Sequence, residues 1–221
     1  MFLILLAIIL FVPLIAQLWV KYNYRKYLNT ANAKGISGKE VARAILEGND
    51  LDQIAVKETP GEITDFYASG NKSVNLSEGV FGGQSIASIA IAAHECGHAL
   101  QDRDGYVMMR MRHSLHPVVS FSNKVAYFLV IAGIIVPFLG LGWLGTLILL
   151  ISLMYEVVTL PVEFNASKRA LAEVERLGLV DEQEMAGVRA MLRSAALTYV
   201  AAVASSAAQL LRLVLLRRRR A

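Results

Sequence analysis

Apolar residues run through this chain in three long blocks, with one mixed region between the first and the second. Residues 2–20 read FLILLAIILFVPLIAQLWV, with Gln17 the only strongly polar side chain. At about 1.5 Å per residue this helix would cover roughly 28 Å, close to the thickness of a bilayer core. Trp19, Tyr22 and Tyr24 suit an interfacial aromatic belt, and Lys21, Arg25 and Lys26 lie beside them. A secretory signal peptide is the competing reading. The segment has no positive n-region and no small-residue cleavage site, so residues 1–21 are expected to be a retained transmembrane anchor.

The second block, 125–162, holds a single charged side chain, Glu156. Pro137 to Gly142 divides it into arms of about 125–138 and 142–162, joined by an uncharged loop that could cross a membrane easily. A transmembrane helical hairpin is expected over 118–162. The third block, 195–216, is rich in Ala and Leu but diluted by Ser205, Ser206 and Gln209. Asp181 and Glu184 form a capping-box pattern ahead of it. This helix could span, pack on the other helices or lie at the interface. The positive-inside rule puts Lys21, Arg25 and Lys26 in the cytosol and both ends of the hairpin with them. A spanning last helix would export the arginines Arg217 to Arg220, so three and four spans both stand.

The mixed region, about 22–117, carries the local signals of a small folded unit. Ser37 to Glu40 is a capping box ahead of Val41, Ala42, Ile45 and Leu46 at helical spacing, with Gly48 as a stop. Gln53 to Val56, Glu62 to Tyr67 and Ser73 to Ser77 predict short strands. Ser73 to Glu78 alternates, and as an edge strand it could pair with an extended peptide; an ordinary core strand fits the alternation as well. Gly82-Gly83 breaks the chain before a helix over Gln84 to Asp102.

Composition sharpens this picture. The chain has 221 residues, 55% hydrophobic and 18% charged, against about 25% charged in a soluble domain. That argues against one soluble globule and excludes disorder, collagen-like sequence and a disulfide scaffold. The single cysteine, Cys96, reads as a small buried helix residue. Of the net charge of +4, residues 21–162 contribute nothing, and Arg217 to Arg220 account for the excess. A nucleic-acid binder would show a broad basic face, so no nucleic-acid partner is expected. The terminal patch suits anionic lipid headgroups, which makes the lipid bilayer the expected partner.

The chemistry lies in His94-Glu95-Cys96-Gly97-His98. Histidines four apart share one helix face and can hold a single Zn²⁺ ion. Zinc lowers the pKa of a bound water to roughly 7, and Glu95 can take its proton during attack on a peptide carbonyl. With the chain's four His and twelve Glu, a chance match to H-E-x-x-H arises in roughly 0.4% of such chains. Ile86, Ile89, Ala90 and Ala93 make the helix apolar, and burying such groups without partners is costly. A catalytic zinc usually has three protein ligands; His113, His116, Glu156 and Glu163 are the candidates. Arg169, Tyr155 and His113 are candidates to stabilise an oxyanion.

The segment Ala93 to Ala99, with the downstream Glu163-Phe164-Asn165-Ala166-Ser167-Lys168-Arg169-Ala170, resembles the YugP-like membrane zinc metallopeptidases. It more distantly resembles HtpX and the CAAX prenyl proteases. Further matching stretches are Gly61 to Tyr67, Asn75 to Glu78, Leu160 to Phe164 and Ala196 to Ala202. The resemblance implies zinc ligands His94, His98 and Glu163, with Glu95 catalytic. Three positions depart from the pattern. The YugP-like pattern has Asp at Asn165 and His at Phe66, and distant relatives have an acid at Ser167. Asn165 or Ser167 could orient a ligand imidazole by a hydrogen bond, without a charge.

The expected fold is integral membrane α+β. A helical transmembrane bundle would carry a zincin-like cytosolic region at 22–117, with the HExxH helix and a small sheet. The hairpin at 118–162 and a third-ligand segment with its C-terminal helix at 163–221 would follow. The expected activity is that of a multi-pass zinc endopeptidase of the cell membrane, its site facing the cytoplasm, acting on protein or peptide substrates. An inactive adaptor that keeps the fold is the alternative, and Asn165 is the feature that invites it. A metal-handling protein is the third reading, weakened by hairpin spans that offer only Glu156 as a polar ligand. The sequence does not reveal the oligomeric state.

Overall fold

A computed structural model describes residues 2–135 and 141–218. The chain is mostly helical with one small sheet. The order is α1 (Phe2–Leu28), α2 (Gly38–Glu47), β1 (Ala55–Thr59), β2 (Phe66–Ala68), β3 (Ser73–Ser77), α3 (Glu78–Phe81), α4 (Ile86–Arg103), α5 (Val107–Ile135), α6 (Leu141–Arg176) and α7 (Glu182–Arg218). Among the described residues three helical stretches are long and apolar enough to cross a bilayer: Phe2–Leu28, Thr146–Arg176 and Glu182–Leu215. The joining loop expected after Pro137 and the end of the hairpin's first arm fall outside the described residues.

The local signals act where they stand. Ser37 caps α2 by accepting from the Glu40 backbone N–H at 3.3 Å, while the Glu40 carboxylate accepts from the Ser37 backbone N–H at 2.7 Å. This reciprocal pair satisfies two donors that a helix start leaves open. Asp181 and Glu184 repeat the device at the start of α7.

The chain divides into two compact units. One comprises Met1–Gln17, Val107–Pro161 and Thr198–Ala221. Within it, Ser206 donates to the Glu156 carboxylate at 2.9 Å, and Ser205 donates to the Ile9 carbonyl at 3.3 Å. Two of the three polar residues that dilute the last apolar block, Ser205 and Ser206, therefore bond α7 to α1 and α6, as hydroxyls do between apolar helices.

The other unit comprises Leu18–Tyr106 and Val162–Leu197. Its core joins Val41, Ile45 and Leu46 of α2, Val74 and Leu76 of β3, Ile89, Ala93 and Cys96 of α4, Val174 of α6 and Val188 of α7. The sheet order is β1-β3-β2, with β1 parallel and β2 antiparallel to β3. The central place of β3 corrects the edge-strand reading of Ser73 to Glu78. Both of its backbone edges are already paired, and all five residues are buried, so it offers no free edge to a peptide. Asp65 accepts from the Ser77 backbone N–H at 2.8 Å and ties the chain before β2 to the end of β3.

Candidate metal centre

Helix α4 begins where Ser85 accepts from the Ser88 backbone N–H at 3.1 Å, just after the Gly82-Gly83 break. Small side chains at Ala87, Ala90, Ala92 and Ala93 are fully buried, so the helix runs through the core rather than over it. Burial continues along Glu95, His98 and Gln101. Gly97 faces α6: a Cβ there would collide with the Ala166 carbonyl oxygen. Without a side chain at 97, the two helix backbones meet closely. That approach brings Glu163, one turn before Ala166, over the histidine pair.

The Glu163 carboxylate is only 2% exposed, and one of its oxygens meets both imidazoles. Oε2 lies 3.2 Å from His94 Nε2 and 3.6 Å from His98 Nε2. The candidate ligand atoms of these three residues all lie within 4.8 Å of one another. Among the described residues no other group of three His, Cys, Asp or Glu side chains meets that condition, and His113, His116 and Glu156 belong to none. Two imidazoles and one carboxylate form a donor set that suits zinc. Holding three such groups in the core without a shared partner would be costly, so the cluster fits a resident metal.

Each imidazole is held at its far nitrogen. His94 Nδ1 lies 3.2 Å from Ser167 Oγ, and His98 Nδ1 lies 3.0 Å from Gln101 Oε1. Such outer contacts turn the opposite nitrogens toward a metal. The Gln101 amide donates to the Val162 carbonyl at 2.7 Å and to Asn165 Oδ1 at 3.0 Å. Arg169 donates from Nε to the same Asn165 oxygen at 2.8 Å and from Nη1 to Asp104. These bonds engage the guanidinium considered for oxyanion stabilisation. Tyr155 lies in the other unit, its ring 6.2 Å from that of His116.

Gln101 is the residue that sequence reasoning missed. Its signal was a long polar side chain three residues beyond His98, on the same face of an apolar helix. Phe66, where the resemblance expects His, is about half exposed on β2.

Glu95 lies beside His94 on α4. Burial holds its carboxyl above the ordinary carboxylate range, and the charges of His94 and His98 oppose that shift. A base with a raised pKa is better matched to proton transfer near neutral pH. Burial disfavours the charged form of His98, but its bond to Glu163 and the nearby carboxylates outweigh this and raise its pKa.

A histidine pair on one buried helix, closed by a glutamate from a second, stands here in a chain whose described residues include three helices long and apolar enough to cross a bilayer. Those are the features that a membrane zinc peptidase requires. The chain belongs to the family described as "Putative neutral zinc metallopeptidase", whose model matches residues 2–218. It is 41% identical over 201 residues to "Putative membrane protease YugP" of Bacillus subtilis (strain 168), a match covering 91% of this chain and 89% of that one. No solved structure matches it significantly.

Proposed function

We propose that the protein is a membrane-embedded zinc endopeptidase in which His94, His98 and Glu163 hold the metal and Glu95 is the general base. The observation that carries this reading is the convergence of His94 Nε2 and His98 Nε2 on one Glu163 oxygen. A bound zinc ion supplies a Lewis acid and a water of lowered pKa. The chain's own part is to orient and to move protons. Ser167 and Gln101 hold the two imidazoles by their Nδ1 atoms. Glu95 takes a proton from the attacking water and returns one to the leaving amine.

The intact donor set favours the enzyme over an inactive adaptor. The cluster of basic side chains after the first apolar block supports a site that faces the cytoplasm, by the positive-inside rule. There it would meet membrane proteins or membrane-associated peptides as substrates. The test is zinc content per chain and casein cleavage in detergent, with and without chelator. Glu95→Gln should keep the metal and lose cleavage. Undiminished cleavage by that variant would sink the mechanism.

A further inference from the structure

We propose that Gln101 is a positioning residue for the metal centre. Its carboxamide, oriented by Arg169 through Asn165, holds the His98 imidazole with Nδ1 protonated and Nε2 turned toward Glu163. The inference rests on the peptidase reading, because it concerns how one ligand of that centre is prepared.

Donors and acceptors alternate along one chain of contacts from Arg169 to His98. Arg169 can only donate. Its Nε lies 2.8 Å from the Asn165 side chain, so the Asn165 atom facing it is the oxygen. The same oxygen lies 3.0 Å from one end of the Gln101 carboxamide, and that end lies 2.7 Å from the Val162 carbonyl. An atom between two acceptors must be the NH₂ group. The other end is then the carbonyl oxygen, 3.0 Å from His98 Nδ1. A carbonyl only accepts, so Nδ1 must carry a proton. Nε2 is thereby the nitrogen left to bind a metal.

The contrast with His94 is informative. Its Nδ1 partner is the Ser167 hydroxyl, 3.2 Å away, and a hydroxyl can donate or accept. Only the His98 side of the centre has its tautomer dictated by neighbours. Asp104 anchors the start of the relay by pairing with Arg169.

Burial points the same way. Gln101 has no exposed surface. Burying a carboxamide costs free energy unless its groups are bonded, and a Leu or Met of similar size would fill the space without that cost. Here both NH₂ donors and the carbonyl are used. A carboxylate would not serve as well. One oxygen could face His98, but the other would face the Val162 carbonyl and Asn165 Oδ1, two acceptors with no proton to share.

The experiment uses the full chain in detergent. Zinc affinity is measured by competition with a chromophoric chelator, the centre is read by the visible spectrum of the Co²⁺-loaded protein, and metal-free thermal unfolding is followed in parallel. Gln101→Met should weaken zinc binding about 10- to 100-fold, the usual range for losing an outer partner of a ligand, and alter the Co²⁺ spectrum. Gln101→Glu should fail to restore affinity. Asn165→Leu should act like Gln101→Met, whereas Asn165→Asp, which keeps an acceptor for both donors, should retain wild-type affinity. If Gln101→Met does not fold, the two Asn165 variants decide. Wild-type affinity and spectrum in Gln101→Met or Asn165→Leu, even with altered thermal unfolding, would make the residue a packing element and overturn the proposal. Wild-type protein that takes up no zinc would instead overturn the peptidase reading itself.

Discussion

Gly97→Ala sets two effects of known size against each other. Alanine is better than glycine in a helix interior by about 0.8–1.0 kcal/mol, so local propensity alone makes the variant more stable. The contact with α6 opposes this. A Cβ at 97 would meet the Ala166 carbonyl oxygen head on, with the carbonyl carbon at 3.0 Å and Cα at 3.2 Å. These are backbone atoms of a helix, so no side chain can rotate away. Overpacking of this kind costs about 1–3 kcal/mol, and the clash should at least cancel the propensity gain.

The larger effect is on the metal. Relieving the contact takes about 1 Å of separation between α4 and α6. Metal–ligand distances tolerate only about ±0.2 Å, and Glu163 travels with Ala166. Zinc affinity should fall at least tenfold, about 1.4 kcal/mol. The assay is thermal unfolding in detergent with chelator and with added zinc. The metal-free transition should stay or drop slightly, and the zinc-dependent rise should shrink. A variant more stable than wild type with unchanged zinc affinity would show that the close approach of α4 and α6 at Gly97 does not set the metal centre.

Glu163→Ala should release zinc while His113→Ala and His116→Ala retain it, measured as metal per chain after gel filtration; the reverse pattern would remove Glu163 from the centre. Asp104 gives a pH dependence. Hydrogen bonds from Arg103 and Arg169 hold its carboxyl below the ordinary 3.8. Its stabilisation is present above about pH 4 and is lost as pH falls through the depressed folded value. Asp104→Asn should therefore unfold at a lower temperature near pH 7 and lose less on acidification than wild type. The effect should be small because the pair is partly solvated, and equal acid sensitivity of the two proteins would contradict it.

Features that depend on neighbours a few residues away were legible in the sequence. A helix turns every 3.6 residues, so His94 and His98 had to share a face wherever that helix packed. Capping boxes at Ser37 and Asp181 are equally local, and each starts its helix at the expected place. Apolar length marked residues 2–20 as long enough to cross a bilayer before any packing was known, and they lie in such a helix, Phe2–Leu28.

Pairings over long separations follow from how the helices pack. Glu163 meets a histidine 69 positions earlier, and spacing could not choose it over Glu156, His113 or His116. The choice follows from where α6 crosses α4, which a missing Cβ at Gly97 permits. Alternation could not tell an edge strand from a central one, because it reports the two faces of a sheet and says nothing of its hydrogen-bonding edges. Gln101 stayed hidden for the same reason. Its position on the helix was legible, but its two acceptors on α6, at Val162 and Asn165, lie 61 and 64 residues away and exist only once the helices have packed.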